Sequence, residues 1–214
     1  MSDGLPRSAQ SFSQRLRQWM PDRQGWWGVG LLCLGLVLLS LGGESARQLL
    51  RYEREAVLQG EYWRLITAHL VHLNTRHLLL NVGGVALIAG LFKSDYTWRG
   101  WLLIALSSAM AIDLALVFWE PQIAWYVGLS GVLHGALVAG AVSWWQYQPK
   151  RLSLGLTVLL LGKLATEYGQ GSLGLTGDLP VVVEAHRYRA LGGLMAGLIL
   201  WLHAHRQVAV KSRI

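Results

Sequence analysis

Residues 98–118 of the chain are WRGWLLIALSSAMAIDLALVF, an apolar run with a single acidic residue, Asp113, near its end. A helix needs about 20 mostly apolar residues to cross the hydrocarbon core of a bilayer, and this run has that length. The rest of the chain is similar: 53% of its 214 residues are hydrophobic, 14% are charged, and the mean hydropathy is +0.35. A soluble domain of this size carries about 25% charged residues. The sequence therefore predicts an integral membrane protein and excludes a soluble one.

Five further stretches approach the length of a membrane span. The six predicted spans are 26–43, about 77–92, 98–118, about 129–147, 152–168 and about 185–205. The second, fourth and sixth begin with polar residues, and polar groups in membrane segments normally face the bundle interior or a water-filled cavity. We expect an all-α, polytopic membrane protein, a bundle of six transmembrane helices with its polar chemistry at the starts of these three spans.

Lys and Arg alternate between the two sides of this predicted bundle. Both tails and the loops after spans two and four are basic, whereas the loops after spans three and five have neither Lys nor Arg. Because such residues collect in cytoplasmic loops, both termini are predicted to be cytoplasmic. The predicted parts are a tail (1–24), a membrane domain (25–206) with a long first external loop (about 44–76), and a short basic tail (207–214).

The net charge of +7 and the pI of about 9.9 have the same explanation. In a membrane protein a positive excess is a topology signal more often than a binding patch, so we predict contact with the lipid bilayer and no nucleic-acid partner. The polar N-terminal segment lacks the apolar core and small-residue cleavage site of a secretory signal, so the first span is expected to remain in the mature protein.

Spans two, four and six all run from outside to inside in this topology. The residues near their starts therefore share the outer third of the bilayer. They include a hydroxyl, two imidazoles and an amide, contributed by Ser130, His77, His186 and Asn81. We expect these four side chains to form one polar site.

Ser130 lies between two glycines, Gly128 and Gly131, where a loop becomes a helix. Glycine permits a tight turn and a close backbone approach, and a helix N-terminus favours a developing negative charge. A serine nucleophile that attacks a carbonyl needs both features. The same short motif is also a common packing element in Gly-rich membrane proteins.

His186 is the leading candidate for the base that activates this hydroxyl. It is followed on its helical face by a stripe of small residues: Ala190, Gly193 and Gly197. Span four has a matching stripe: Gly131, Gly135 and Ala139. Small residues at this spacing let membrane helices approach closely, which would bring Ser130 and His186 within reach of each other. The spacing is equally compatible with an interfacial histidine. His134, one turn after Ser130, is a rival base at greater depth.

His77 and Asn81 are four residues apart on one helical face, so both could donate hydrogen bonds to an oxyanion. The alternative is that they join neighbouring helices. His69, His72 and His77 could also suggest a metal site, but no carboxylate or thiolate accompanies them, so we predict no metal and no cofactor. Asp113 could orient His186, although a capping or interhelical role is the usual one for such a residue.

These residues, in this order, resemble the rhomboid family of intramembrane serine proteases. The matching motifs are Tyr62-Trp63-Arg64, His77-x-x-x-Asn81, Gly128-Leu129-Ser130-Gly131 and Ala185-His186 above small residues. Within the family the chain looks most like the rhombosortase branch. That likeness is carried by Gly128-Leu129-Ser130-Gly131-Val132-Leu133-His134-Gly135 and by Val183-Glu184-Ala185-His186. The family usually has Gly soon after the histidine of span six, where this chain has Arg187-Tyr188-Arg189.

The resemblance implies a Ser130–His186 dyad without an acidic third member, and an oxyanion site formed by His77, Asn81 and the Ser130 backbone N–H. It implies substrate or structural support from five further residues: Gly128, Gly131, His134, Trp63 and Arg64. The implied substrates are membrane-anchored proteins cut near the outer face of a bacterial inner membrane. For the rhombosortase branch they are C-terminal anchors with a Gly-Gly-type site.

A second hypothesis belongs to another class. A non-catalytic rhomboid-like protein or a small transporter could bind client helices in the same polar cavity. The presence of all four polar site residues favours the protease, since a non-catalytic relative tends to lose one of them.

Overall fold

The computed structural model describes residues 23–92, 95–170 and 185–211, and these are mostly helical. In chain order the elements are α1 (Arg23–Leu41), α2 (Gly43–Leu50), β1 (Tyr52–Glu53), α3 (Arg54–Leu58), α4 (Arg64–Thr67), α5 (Thr75–Phe92), α6 (Trp98–Phe118), β2 (Trp125–Tyr126), α7 (Ser130–Tyr147), α8 (Lys150–Gln170) and α9 (Ala185–Lys211). Most of the predicted N-terminal tail, the loop 171–184 and the last three residues lie outside the described residues.

A long helix occupies each of the six stretches predicted to span the membrane. By length and hydropathy alone, α5 and α6 are able to cross a membrane, and α1 with α2, which meet at a 110° bend, form a third candidate if they count as one span. The described residues thus contain two or three such spans by this measure. Among the described residues, α7, α8 and α9 do not pass this measure, so six spans remain a prediction for this chain.

Helix α7 is at the centre of the bundle and contacts α5, α6, α8 and α9. Phe92 at the end of α5 is fully buried, and its ring lies 2.6 Å from where a Cβ on Gly140 of α7 would be. The outer faces are apolar and exposed, as on α6, where Leu106 and Met110 are more than half exposed. Apolar faces of this extent belong in lipid, in agreement with an integral membrane protein.

The contact between α7 and α9 is made by glycine backbones. A Cβ on Gly193 would overlap the backbone carbonyl of Gly135, and a Cβ on Gly197 would lie 3.2 Å from Ala139 Cα. The predicted packing of these two small-residue stripes is therefore confirmed. The adjacent face of α9 also packs closely, since a Cβ on Gly192 would overlap the Ser107 carbonyl of α6.

The segment predicted to be the first external loop contains the short helices α2, α3 and α4, in agreement with its predicted length, and it also contains strand β1. This strand pairs with β2 in an antiparallel ladder, Tyr52 opposite Tyr126 and Glu53 opposite Trp125. The backbone N–H of Arg54 extends the contact to Ala124 O at 2.8 Å. Two-residue strands are too short to show a sequence period, so an all-α prediction missed them. The ladder ties the loop to the segment that leads into α7.

Candidate active site

Ser130 is the first residue of α7, and its side chain is half-buried. Leu129 at the N-cap has no polar side chain to cap the helix. The first backbone N–H groups of a helix have no acceptor within the helix, and together with the helix dipole they attract negative charge. The Ser130 hydroxyl therefore lies beside donors suited to an oxyanion.

Gly128 brings an imidazole close to this helix end. Its φ is +115°, a value that side chains with a Cβ rarely adopt. A Cβ at this position would lie 2.5 Å from His77 Cε1 and 2.9 Å from His77 Nε2. Both the backbone angle and the close approach of the ring require glycine two residues before Ser130.

The hydrogen bonds of His77 determine which ring nitrogen carries the proton. The backbone N–H of Leu73 donates to His77 Nδ1 at 3.4 Å, which makes Nδ1 the acceptor. A neutral imidazole with Nδ1 as acceptor has its proton on Nε2. Nε2 is also the ring nitrogen nearer Gly128, so the N–H of His77 lies beside the segment that carries Ser130.

Asn74 and Asn81 hold His77 from both sides. Asn74 Oδ1 accepts from the backbone N–H of His77 at 2.9 Å, the bond of a helix N-cap. Asn81 is almost fully buried, and its Nδ2 donates to the His77 carbonyl at 2.8 Å. An amide nitrogen has two hydrogens, so Asn81 retains one more to donate. The Asn81 side chain thus contacts the backbone of His77, and their role as an oxyanion pair stays a prediction.

His134 contacts the backbone carbonyl of Ser130. Its Nδ1 lies 2.6 Å from the Ser130 carbonyl oxygen, one turn earlier in α7. Because a carbonyl can only accept, Nδ1 carries a proton and donates it. This contact is consistent with a structural role for His134 in the first turn of α7.

His186 lies in the first turn of α9, and its side chain is outside the described residues. The contacts of Gly135 with Gly193 and of Ala139 with Gly197 have the same offset, so α7 and α9 run parallel. Extended to the helix starts, this register puts Ser130 level with Tyr188. The His186 backbone is then about 3 Å further toward the N-terminal ends of the two helices, at a rise of about 1.5 Å per residue.

Arg64 is buried inside the first external loop. Its Nη1 donates to the carbonyls of Gln48 and Arg51 at 2.8 and 2.9 Å, and its Nε is 2.6 Å from Glu61 Oε2. These bonds satisfy carbonyls at the end of α2, so the contacts of Arg64 are structural. Trp63 beside it is about half exposed.

Asp113 and His69 form a buried pair that sequence reasoning did not connect. His69 Nε2 lies 3.1 Å from Asp113 Oδ1, and the two side chains are 4% and 13% exposed. Asp113, considered above as a partner of His186, is thus paired with the first external loop. The one signal in the sequence was a carboxylate within an apolar run.

His72 meets the ring of His77 edge to face, with the centroids 5.2 Å apart. It also lines a cavity of about 170 Å³ between the end of α1, α2 and residues 71–75. Burial lowers the pKa of His72 to about 4, so this ring is neutral at pH 7 and adds no charge beside His77. Within the described ranges, no three His, Cys, Asp or Glu side chains are grouped to hold a metal ion.

Fold and site together define a helical integral membrane protein with a serine at the start of its central helix and an imidazole against the preceding glycine. Residues 59–206 match the family model of the rhomboid domain. The chain belongs to the rhomboid family.

Two curated relatives support this membership. RHOMBOID-like protein 7 of Arabidopsis thaliana is 29% identical over 149 residues, 67% of this chain and 44% of that protein. The putative rhomboid protease YdcA of Bacillus subtilis is 33% identical over 79 residues, 37% of this chain and 40% of that protein. The chain therefore spans less than half the length of each of these relatives.

Proposed function

We propose that the chain is an intramembrane serine endopeptidase that cleaves membrane-anchored proteins near the outer face of the membrane. Ser130 is the nucleophile and His186 the general base. The observation that carries the proposal is the contact of His77 with Gly128, which directs an imidazole N–H to the segment just before Ser130. A hydrogen-bond donor placed beside a nucleophile in this way can stabilise the oxyanion that forms during the attack.

The reaction proceeds in two steps with these groups. The Ser130 Oγ attacks the scissile carbonyl carbon while His186 takes the hydroxyl proton, and the carbonyl oxygen becomes an oxyanion bonded by His77, Asn81 and the Ser130 N–H. The C–N bond then breaks, and His186 gives its proton to the leaving amine. Water attacks the resulting ester with His186 again as base, which releases the acid and restores Ser130.

The proposed topology has six spans with both termini in the cytoplasm of a bacterial cell and the site open to the external side. Helices at all six predicted stretches and the parallel course of α7 and α9 support it. Parallel helices start on the same face of the membrane. The proposed site requires this because it combines residues from the first turns of α7 and α9.

The proposed substrates are segments of membrane anchors that unwind locally, because a helical backbone hides its carbonyls from attack. The narrower form of the proposal is a rhombosortase-like enzyme acting on C-terminal anchors with a Gly-Gly-type site. The motif Gly128-Leu129-Ser130-Gly131-Val132-Leu133-His134-Gly135 supports this form.

Labelling with a fluorophosphonate probe tests the mechanism directly. We expect one label per chain, mapped to Ser130 by peptide mass. His186→Ala should lower the labelling rate about 10²- to 10⁴-fold, the contribution of a general base. His134→Ala should keep the rate within about threefold, since its Nδ1 bonds a backbone carbonyl.

The same experiment distinguishes a protease from a non-catalytic protein, and it distinguishes His186 from His134 as the general base. A folded chain that takes no label at Ser130 would be a non-catalytic rhomboid-like protein. If His134→Ala abolishes labelling and His186→Ala does not, His134 is the base and the proposed dyad is wrong.

Gly128→Ala provides a second test, in which the oxyanion site is altered without touching the dyad. The new Cβ is strained at a φ of +115° and pushes against the His77 ring, so the labelling rate should fall about 100-fold. Gly60→Ala is the matched control, because Gly60 has a φ of +106° with nothing within 4 Å of its Cβ position. If the two variants are labelled at equal rates, the Gly128–His77 contact does not contribute to the mechanism.

A further inference from the structure

A buried carboxylate in α6 takes no part in the reaction proposed above. Asp113 lies within a helix able to cross the membrane, with its side chain 13% exposed and His69 Nε2 at 3.1 Å. A buried pair of this kind often stabilises a protein no more than apolar side chains of the same volume. Ionisable groups inside membrane segments are for this reason functional candidates.

The pair contacts the segment before Ser130 through one aromatic ring. The rings of His69 and Tyr126 meet edge to face, with centroids 5.7 Å apart and planes at 64°. Tyr126 Oη donates to the Gly128 carbonyl at 3.0 Å. Ala68, the neighbour of His69, accepts from the Gly128 N–H at 2.8 Å. Both polar backbone groups of Gly128 are therefore held by residues at or against His69.

Asp113 fixes the orientation of the His69 ring. The other ring nitrogen, Nδ1, is buried and has no hydrogen-bond partner in the part of the chain that the structure describes. Among the described residues, the bond at Nε2 is thus the hydrogen bond that orients the His69 ring against Tyr126. Without the acceptor the ring loses this fixed orientation, and its contact with Tyr126 is weakened.

We propose that His69 and Asp113 are positioning residues for the Ser130 nucleophile. They hold Gly128, and with it the start of α7, at the distance from His77 that the oxyanion site needs. Neither residue touches the substrate. The kinetic consequence rests on the proposed protease function, whereas the structural consequence does not require catalysis. A displacement of about 1 Å can lower a rate about 100-fold, so a small shift of this segment is enough.

The kinetic measurement is the maximal rate and the half-saturating probe concentration for labelling of Ser130 by the fluorophosphonate in the full chain. In Asp113→Leu and His69→Phe the maximal rate should fall about 10- to 100-fold, and the half-saturating concentration should stay within about twofold. Asp113→Asn retains an acceptor oxygen of the same shape and should keep most of the rate. Asp113→Ser, which is too short to reach His69, replaces the Leu variant if that variant does not fold.

The matched control is Ser153→Ala. It removes a fully buried hydroxyl that donates to the Trp144 carbonyl at 2.7 Å, near the opposite end of α7 from Ser130. Both kinetic values should be unchanged in this variant. If the control loses as much maximal rate as Asp113→Leu, the effect is a general response to core damage and the proposal is overturned.

Amide hydrogen exchange measures the same positioning without catalysis. The Gly128 amide bonds the Ala68 carbonyl, so in Asp113→Leu it should exchange about tenfold faster, while amides of residues 139–147 keep their rates. Unchanged exchange at Gly128, or an unchanged labelling rate in both variants, overturns the proposal. If the unaltered chain takes no label, the protease function fails, and the exchange measurement alone decides whether the pair holds Gly128.

Discussion

We expect Ser130→Ala to abolish cleavage of a co-expressed protein with a C-terminal membrane anchor, while the variant itself still inserts and folds. The expected loss is about 10⁶-fold, the scale on which removing a catalytic serine acts. Folding should be little affected because Ser130 is only half-buried and the first turn of α7 keeps the His134 bond to its carbonyl, which alanine also provides. The measurement is the ratio of cleaved to intact substrate on an immunoblot of the membrane fraction.

Ser108→Ala is the matched control for this prediction. Ser108 is fully buried in α6, and its hydroxyl donates to the Ile104 carbonyl of the same helix at 2.7 Å. The control should cleave the substrate at the rate of the unaltered chain. Full cleavage by Ser130→Ala would contradict the serine mechanism, and loss of cleavage in both variants would show that the assay responds to serine removal in general.

The helices of this fold could be predicted because their signals are local. An apolar run predicted α6 at the residues where it occurs, and Thr97 starts it with a side chain that accepts from the Gly100 N–H. The stripe of small residues on α9 predicted its contact with α7, since close helix packing in membranes needs small side chains at a fixed spacing. Composition and periodicity are sufficient for features of this kind.

The support of the candidate site could not be predicted because its contacts join distant residues. His69 and Asp113 are 44 positions apart, and no local pattern relates a loop histidine to one carboxylate in an apolar run. The approach of His77 to Gly128 depends on a positive φ that a Gly-rich sequence does not single out. The depth of His186 depends on the register of α7 and α9, which spacing constrains but does not determine.

The second large effect concerns the α7–α9 contact: Gly193→Val should separate the two helices. The backbone of Gly135 occupies the space that any Cβ on Gly193 would need, and a backbone cannot rotate away as a side chain can. Overpacking a close contact costs about 1–3 kcal/mol, and a clash with the Gly135 backbone belongs at the upper end of that range. The thermal unfolding midpoint in detergent should fall by several degrees, about 2–4 °C for each kcal/mol in a chain of this size.

Gly193→Val should also lower the labelling rate of the molecules that remain folded, because the same contact sets the distance between the starts of α7 and α9. If Ser130 and His186 act as a dyad, a separation of about 1 Å lowers the fluorophosphonate labelling rate about 100-fold even in the folded fraction. Gly155→Val in α8 is the matched control, since nothing lies within 4 Å of its Cβ position, and it should leave both values unchanged. A Gly193→Val variant that keeps its unfolding midpoint but loses labelling would still support the dyad. One that unfolds earlier yet labels at the normal rate while folded would place the base outside α9.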